Sequence, residues 1–444
     1  MGSTFGYARA ADAAYIGYRI DGDGPVDIVQ QPDWPGNIDL DWDDPWSASW
    51  LRGVAAMGRL ITHDHRGVGL SSRDMGIPAL ETRVADLQCV LDAAHAELPV
   101  MIGFLSTGAV NAMACAMLPE LARALVWMEP MARFAWAPDY PWGRRWEELD
   151  EELAQIASWG TDEYGRWMLQ NEAATGNTMP GSMARSFTKM SRNACTPDTA
   201  RALSKMWYET DVRGILPSVR TPTLLLIHEE RTDQVEQARY IADLMPAAEV
   251  RIMPGAAWTI EEQPAWLDAI RRFVGEDLPA APHDTILATV MFTDIVDSTA
   301  IQAREGDRAW KELIERHHAM VRGLLDRHGG IEQDTAGDGF YVRFDGPARA
   351  IRCAREIGEA VRQLGLEIRA GVHTGECEIA DGKCSGISVT IGARVMAHAG
   401  TSEVMVSQTV KDLVAGSGLT FEDAGEHELK GVPDRWRLYR VVNA

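Results

Sequence analysis

The sequence predicts two domains: an N-terminal domain on a mostly parallel sheet with a helical cap, and a smaller C-terminal α+β domain. Three observations lead to this prediction. The chain has 444 residues, which is more than one ordinary hydrophobic core organises. Strand and helix patterns alternate from Val26 to about Val274, as is typical of a parallel sheet with helices on both faces. Beyond a short polar segment that contains proline, apolar residues recur with the period of two that indicates half-buried strands.

The N-terminal domain is predicted to span residues 1–275. Its section from about 133 to 217 lacks strand patterns and is rich in Trp and in helical patterns, which indicates a cap over the sheet. One apolar run, Val100–Leu118, approaches membrane-spanning length, but it contains Ser, Thr, Gly and Asn and lies between two prolines. We interpret it as a buried strand, a tight turn and a helix, so no membrane span is expected. The predicted strands are Arg59–Thr62, Val100–Gly103, Thr223–Ile227 and Glu249–Met253.

A linker is predicted at 276–286 and the second domain at 287–444. This domain begins with an apolar strand, Leu287–Phe292, and continues with a helix that Gly329 and Gly330 end. A hairpin with its turn at Gly337 comes next, and a later strand places Arg369 and His373 on the face opposite its apolar residues. The hairpin strands are Ile331–Ala336 and the alternating Phe340, Val342 and Phe344, and the later strand alternates Leu366, Ile368, Ala370 and Val372.

Charge and cysteine content exclude several classes of partner. The formal net charge of −22 repels nucleic acid and anionic membrane surfaces, so we expect neither as a partner. Six cysteines form no CxxC pair and no Cys/His cluster with zinc spacing, which favours reduced thiols in a reducing compartment. The N-terminus lacks a basic stretch followed by an apolar core, so no secretory signal is expected. A cytoplasmic location is the prediction.

Two carboxylates stand where predicted strands end. Asp294 lies in VMFTDIVDST, and Asp338 lies in the predicted hairpin turn TAGDGF. Mg²⁺ and Mn²⁺ prefer oxygen ligands on a rigid frame and take their remaining ligands from phosphates and water. Either aspartate alone would be interpreted as a turn former or a helix cap. The sequence motifs around the two aspartates, described next, make us favour a divalent-cation site for the pair.

Five motifs occur here in order: FTDIVDST, TAGDGF, RAGVHTGE, GARVMAHAG and HELKGVP. From about Leu287 to Val441 the sequence resembles the catalytic domain of class III adenylyl and guanylyl cyclases, and the whole chain looks like the mycobacterial-type hydrolase–cyclase fusions. The resemblance implies a ferredoxin-like domain that converts ATP to cyclic AMP and pyrophosphate. It also implies two Mg²⁺ or Mn²⁺ ions per site, held by Asp294, Asp338 and the backbone carbonyl of Ile295.

By the same resemblance, Arg369 and Lys430 bind the terminal phosphates, and Arg394 stabilises charge on the α-phosphoryl group in the transition state. Arginine suits this role because its planar fork meets phosphate oxygens in a bidentate fashion and keeps its charge. In this family the residues of one site come from two subunits. The resemblance therefore implies a head-to-tail homodimer through the cyclase domain, with two equivalent sites.

Three positions depart from the family pattern. Asp334 replaces the lysine with which adenylyl cyclases read the purine, and Lys383 replaces the aspartate of that pair. The exchanged charges suit guanine, so GTP is an alternative to the expected ATP; the other interpretation is that both residues pair with each other or with solvent. Thr390 replaces the transition-state asparagine, so we expect slow catalysis. A catalytically weak nucleotide-binding sensor is a further alternative.

Two segments of the front domain, HDHRGVGLSSR and VMIGFLSTGAV, resemble the DxRGxGxS segment and the nucleophile elbow of α/β hydrolases. The family spacing puts Leu105 at the nucleophile position and Ser106 one place late. Trp258 occupies the position of the catalytic histidine, and Asp233 is the candidate acid. A triad works only as a constellation, so the resemblance implies a hydrolase-like domain without catalysis.

Two other functions of the front domain stay open. Ser106 together with a distant histidine, His63 or His65, would make the domain a serine esterase, although such an arrangement has no support from spacing. Trp-rich walls beneath a cap would instead form a pocket for a small apolar ligand.

Overall fold

The computed structural model describes residues 3–31, 36–73, 78–174, 181, 183–255, 259–275, 285–380 and 383–442. The chain forms two compact units, Met1–His283 and Asp284–Ala444. Most of the predicted linker, 276–284, lies outside the described residues. Within the described ranges, every helix is too short or too polar to cross a membrane.

The described residues of the N-terminal unit form an eight-stranded sheet. Its strands are β1 (Ser3–Arg9), β2 (Tyr15–Asp21), β3 (Asp27–Gln30), β4 (Arg59–His63), β5 (Val100–Phe104), β6 (Ala124–Met128), β7 (Thr223–His228) and β8 (Ala248–Met253). Their order in the sheet is β1-β2-β4-β3-β5-β6-β7-β8. β1 pairs antiparallel with β2, and β2 with β4, whereas the other neighbours are parallel. The mostly parallel sheet agrees with the strand and helix alternation of the sequence.

Helices cover both faces of this sheet. α1 and α9 pack on one face through buried side chains that include Trp50 and Trp266. α8 packs on the other face, where Val235 contacts Ile227 of β7. The helices of the unit are α1 (Pro45–Ala55), α2 (Leu80–Ala93), α3 (Leu105–Met117), α4 (Trp146–Gln155), α5 (Asp162–Ala174), α6 (Met183–Ala194), α7 (Pro197–Glu209), α8 (Thr232–Leu244) and α9 (Gln263–Gly275).

The helices α4 to α7 lie between β6 and β7 in the chain, where the sequence predicts the cap. No strand occurs in the described part of this section; it contains isolated β-bridges such as the one between Arg133 and Asp211. Local chemistry explains where α7 begins. The Thr196 side chain accepts a hydrogen bond from the Thr199 amide, and Pro197 fills the first helical position, where its missing N–H costs nothing.

The C-terminal unit also contains a central sheet. Its strands are β9 (Thr285–Ile295), β10 (Ile331–Ala336), β11 (Gly339–Phe344), β12 (Ile368–Ala380), β13 (Lys383–Ser385), β14 (Val404–Ser407), β15 (Thr420–Glu428) and β16 (Arg435–Val442). The order is β10-β11-β9-β12-β14-β16-β15, and β13 pairs with β12. β12 and β14 are parallel, and the other pairs are antiparallel.

In the described residues of this unit, five α-helices accompany the sheet: α10 (Ser298–Glu305), α11 (Asp307–His328), α12 (Pro347–Val361), α13 (Ile387–Ala397) and α14 (Gln408–Leu413). α11 and α12 cover one face, where Val321 and Ile351 belong to a core with Met291 and Phe340. α13 lies on the opposite face, close to β12. A Cβ on Gly371 would lie 2.1 Å from the Met396 amide nitrogen, so only glycine permits this approach.

Candidate active site

The two aspartates of the predicted cation site lie at adjoining strand ends. Asp294 is the second-last residue of β9, and Asp338 lies in the two-residue turn between β10 and β11. β11 pairs with β9 in a register that sets Phe340 opposite Thr293, so the turn falls beside the end of β9. Ile295, whose carbonyl is the third expected ligand, ends the same strand. The sheet therefore brings all three residues to one corner.

The Asp338 carboxylate has an oxygen without a partner. Its Oδ2 is buried and accepts no hydrogen bond from the described residues. A buried carboxylate oxygen is costly unless a cation, a donor or water satisfies it. No cluster of three His, Cys, Asp or Glu side chains with metal-binding geometry occurs in the described part of the chain. Two carboxylates and a main-chain carbonyl still suit a hard cation that takes its other ligands from a triphosphate.

Arg369 faces Asp294 across the ladder between β9 and β12. The two residues are directly opposite, and Nε and Nη2 of Arg369 donate to Oδ2 of Asp294 at 3.0 and 2.6 Å. This ion pair joins the arginine expected at the terminal phosphates to an expected cation ligand. Both side chains are partly exposed, so breaking the pair costs little.

A second group of expected site residues lies on and beside α13. Thr390 and Arg394 are four residues apart and share one helix face. Nε of Arg394 donates to the backbone carbonyl of Lys430 at 3.0 Å. The expected transition-state arginine therefore lies next to one of the expected phosphate ligands, Lys430, which follows β15 and is exposed.

Both groups lie on the same face of the sheet. Along β9, Asp294 lies on the same face as Val290 and Phe292, because the three residues are two apart, and a Cβ on Gly392 of α13 would lie 2.6 Å from the Val290 side chain. No hydrogen bond or ion pair in the described part of the chain joins the carboxylate group to the α13 group.

The expected base-reading residues, Asp334 and Lys383, are both exposed. Oδ1 of Asp334 accepts a hydrogen bond from the Thr335 amide at 3.0 Å. No salt bridge joins Asp334 to Lys383 among the residues that the structure describes. The carboxylate of Asp334 and the ammonium of Lys383 are therefore both accessible from solvent at the edge of the sheet.

Sequence reasoning missed the residues that fix the strand carrying Lys383. The Cys384 amide donates to Oε1 of Gln333 at 2.7 Å, and the Cys384 carbonyl accepts from the Tyr341 hydroxyl at 2.9 Å. Gln333 lies at a β-bulge, where the register between β10 and β11 shifts. The Tyr341 ring stacks on Phe292 with centroids 4.7 Å apart. The main chain of β13 is therefore held by hydrogen bonds to two side chains of the neighbouring hairpin.

Residues 278–443 match the family model described as the adenylate and guanylate cyclase catalytic domain. The C-terminal unit is a cyclase catalytic domain. "Putative adenylate cyclase 3" of Rhizobium meliloti is 27% identical over 155 residues, which cover 33% of this chain and 26% of the relative. "Receptor-type adenylate cyclase GRESAG 4.3" of Trypanosoma brucei brucei is 24% identical over 217 residues, which cover 37% and 18%. The matched part of the chain thus spans about a quarter or less of these relatives.

The N-terminal unit resembles solved hydrolases. An esterase from Exiguobacterium antarcticum aligns with a TM-score of 0.53 and 17% identity, over 62% of this chain and 100% of the esterase. At this identity the likeness is one of fold. The N-terminal unit has the α/β hydrolase fold, and the fold class expected for both parts of the chain, a hydrolase-like fold before a cyclase domain, is confirmed.

The turn after β5 has the backbone shape of a nucleophile elbow. Leu105 has a φ of 44°, a region that side chains with a Cβ rarely adopt. Small neighbours are needed around it: a Cβ on Gly103 would lie 2.4 Å from Cα of Gly108, and a Cβ on Gly108 would lie 2.0 Å from the Trp127 ring. Trp127 also donates from Nε1 to the Leu105 carbonyl at 2.7 Å. The strained turn is therefore packed tightly around a leucine.

The described residues assemble no esterase triad. Ser106 lies in the first turn of α3, is 7% exposed and hydrogen bonds to no described residue. Burial lowers the pKa of His63 to about 3, and Arg83 donates to Nε2 of His65 at 2.8 Å. Asp233 is exposed in the first turn of α8. Trp258 lies outside the described residues.

A cavity of about 550 Å³ lies between the sheet and the cap of this unit, with Leu105 and Ser106 in its lining. Tryptophans line it, as the sequence predicts, but charged residues do too. Arg231 is ion-paired with Glu129, and both side chains are buried. Sequence reasoning missed this pair; the available signal was an acidic residue placed directly after the buried strand β6.

Proposed function

We propose that the cyclase domain converts ATP to cyclic AMP and pyrophosphate. In this reaction the ribose 3′-oxygen attacks the α-phosphorus, and pyrophosphate leaves in line with the attack. The observation that carries the proposal is the convergence of Asp294 and Asp338 at one corner of the sheet, with an Asp338 oxygen buried and unpartnered. The family model and the two relatives named as adenylate cyclases support a nucleotide triphosphate as substrate.

Asp294, Asp338 and the backbone carbonyl of Ile295 would hold two Mg²⁺ or Mn²⁺ ions. When bound, such ions lower the pKa of the ribose hydroxyl and neutralise triphosphate charge. The donor set is entirely oxygen, as hard cations prefer. Arg369 supplies positive charge to the Asp294 carboxylate, and its guanidinium would bind the terminal phosphates once a triphosphate is present.

The α13 group would complete the site from the other side of the substrate. The bond from Nε of Arg394 to the Lys430 carbonyl fixes the side chain and leaves both terminal amino groups without a described partner. These groups would bind the α-phosphoryl oxygens as negative charge develops, and the Lys430 ammonium would bind the terminal phosphates. Thr390 offers a hydroxyl where the family has an amide, so we expect turnover to be slow.

We propose a head-to-tail homodimer as the working unit. The carboxylate group and the α13 group share a face of the sheet but no direct bond. As the resemblance to class III cyclases implies, a substrate would bind the carboxylate group of one subunit and the α13 group of its partner, which gives two equivalent sites.

GTP is the second candidate substrate, because Asp334 and Lys383 are exposed and unpaired with each other. A carboxylate accepts from the guanine N1–H, and an ammonium donates to the guanine O6. Adenine presents an acceptor at N1 and a donor at its amino group, so this pair suits it less well. Sites that hydrogen-bond a specific edge can discriminate by ~10⁴-fold or more.

The test is nucleotide turnover by the full-length protein with Mn²⁺ and equal concentrations of ATP and GTP, with products separated by chromatography. We expect cyclic AMP as the main product and no product from Asp338→Ala. If cyclic GMP were the main product, GTP and not ATP would be the substrate. If the protein bound nucleotide but formed no cyclic product, it would act as a nucleotide-binding sensor. If it released p-nitrophenol from an ester in a parallel assay, the N-terminal unit would be a hydrolase.

A further inference from the structure

The cavity of the N-terminal unit takes no part in the proposed cyclase reaction. Its volume of about 550 Å³ is sufficient for an organic molecule of moderate size. Aromatic and methionine side chains form a large part of its walls, including Trp142, Trp167, Phe187, Met131, Met168 and Met190. A ligand there would be enclosed by apolar and polarisable groups.

Acidic residues outnumber basic residues in this lining. Among the described residues the lining carries five carboxylates and two guanidinium groups. The carboxylates are Asp41, Asp44, Glu129, Glu148 and Glu152, and the guanidinium groups belong to Arg144 and Arg231. An anionic ligand such as a fatty acid would meet a surplus of like charge at short range and would lose its hydration on entry.

Most of these carboxylates already have partners. Glu129 pairs with Arg231. Glu148 and Glu152 lie 3.2 and 3.7 Å from nitrogen atoms of Arg144. Asp44 caps α1 by accepting from the Trp46 and Ser47 amides, and it also accepts from the Ser186 hydroxyl at 2.5 Å.

Asp41 is different, because its carboxylate accepts no hydrogen bond from the described residues. Burial, together with the nearby Asp64 and Asp44, raises its pKa well above the ordinary value. A second acceptor in the lining is also unsatisfied: Gln31 is 1% exposed, and its Oε1 has no donor. Two oxygen acceptors therefore border the cavity without a described partner.

We propose that this cavity binds an organic cation, a protonated amine or quaternary ammonium with an aromatic or aliphatic body, with Asp41 as its counter-ion. The aromatic walls add cation–π attraction to the ion pair. The sequence left open a small apolar ligand for this pocket, and the proposal specifies that this ligand carries a positive charge. The proposal does not depend on the cyclase reaction.

Three probes test this proposal on the full-length protein: benzyltrimethylammonium, its uncharged carbon isostere neopentylbenzene, and the anion 4-phenylbutyrate. Binding is followed by tryptophan fluorescence. We expect the cation to bind at least ~10-fold more tightly than the isostere, and the anion not to bind. Equal affinity for cation and isostere, or no binding of the cation, would overturn the proposal.

Asp41→Asn and Asp43→Asn form a matched pair of variants. Asp43 lies two residues away, is exposed, pairs with Lys189 and is absent from the cavity lining. Asp41→Asn should weaken binding of the cation ~10-fold and leave the isostere unchanged, whereas Asp43→Asn should change neither. Equal weakening by both variants would attribute the effect to net charge and overturn the proposal. Asp41→Asn should melt no lower than the wild type at pH 7.5, because it removes a carboxylate that burial disfavours.

Discussion

At the turn after β5, Leu105 has the strained backbone of a nucleophile position, but its side chain has no hydroxyl that could act as a nucleophile. A side chain with a Cβ pays about 1–2 kcal/mol for the left-handed region that its φ of 44° occupies. The close packing of Gly108 against Trp127 holds the backbone of the turn in this conformation. The turn therefore keeps its shape although a leucine stands at the nucleophile position. The side chain of Leu105 lines the cavity, so this position contributes to the shape of a binding site.

His373 makes the stability of the cyclase domain depend on pH. Burial lowers its pKa to about 3, and its Nδ1 lies 2.8 Å from the Ser407 hydroxyl. Below about pH 6.5, His373 binds a proton in the unfolded chain but stays neutral in the folded domain. The free energy of unfolding therefore falls as pH falls from 6.5 towards 3.

We expect His373→Gln to reduce this dependence by about 1.4 kcal/mol per pH unit within that window. Urea unfolding at pH 7.5, 6 and 5 measures the slope. Ser407→Ala serves as the control, because it removes the hydrogen bond and keeps the titrating ring. Identical slopes for the wild type and His373→Gln would contradict the assignment.

At the scale of elements, substitutions at two helical glycines distinguish the effect of side-chain packing on stability from the effect of helix propensity. A Cβ on Gly108 in α3 would lie 2.0 Å from the Trp127 ring, whereas a Cβ on Gly323 in α11 would meet nothing within 4 Å. Gly323→Ala should stabilise the cyclase domain by about 0.5–1 kcal/mol. Gly108→Ala should destabilise the N-terminal unit by about 1–3 kcal/mol. Thermal melting of the full-length protein checks both, and a stabilised Gly108→Ala variant would contradict the tight elbow.

The strand β13 is a second element whose role can be measured. Tyr341→Phe keeps the stack on Phe292 but removes the hydroxyl that donates to the Cys384 carbonyl. Loss of this bond costs about 1 kcal/mol, so the KM for nucleotide should rise several-fold with kcat little changed. Tyr439→Phe on β16, whose hydroxyl bonds to Gln408, is the control. A lower kcat at constant KM would contradict a positioning role for β13.

Periodicity predicted the long elements and failed on the short or exposed ones. β11 alternates clearly because one face of the strand is buried in the core, whereas β9 is marked by a continuous apolar run that is buried on both faces. β1 is largely exposed and carries little such signal, and β13 has three residues, too few for any pattern. The partners of Gln333 and Tyr341 depend on a bulge and on sheet register, which local sequence does not determine.

At the scale of the whole molecule, the sequence named the candidate site residues but not how they are grouped. Strand ends predicted Asp294 and Asp338, and the resemblance to class III cyclases predicted Arg394. The ion pair of Arg369 with Asp294 follows from strand register, which emerges only when the sheet assembles. The burial of Asp41 near Asp64 depends in the same way on tertiary packing, so no local pattern marks it.

The homodimer can be tested by complementation. Asp338→Ala and Arg394→Ala should each be inactive alone, because each removes one of the two groups. Random mixing after co-expression puts half of the chains into mixed dimers with one intact site of two, so we expect about a quarter of wild-type activity. No recovery in verified mixed dimers would contradict the shared site.

The most direct measurement is equilibrium binding of Mn²⁺ to the full-length protein with 3′-deoxy-ATP, which cannot cyclise, followed by the electron paramagnetic resonance of the free ion. Asp345, an exposed residue just beyond the other end of β11, provides the matched control. We expect Asp338→Asn to weaken Mn²⁺ binding at least ~10-fold and Asp345→Asn to leave it unchanged. Equal binding by the wild type and Asp338→Asn would contradict the claim that Asp294 and Asp338 form one cation site.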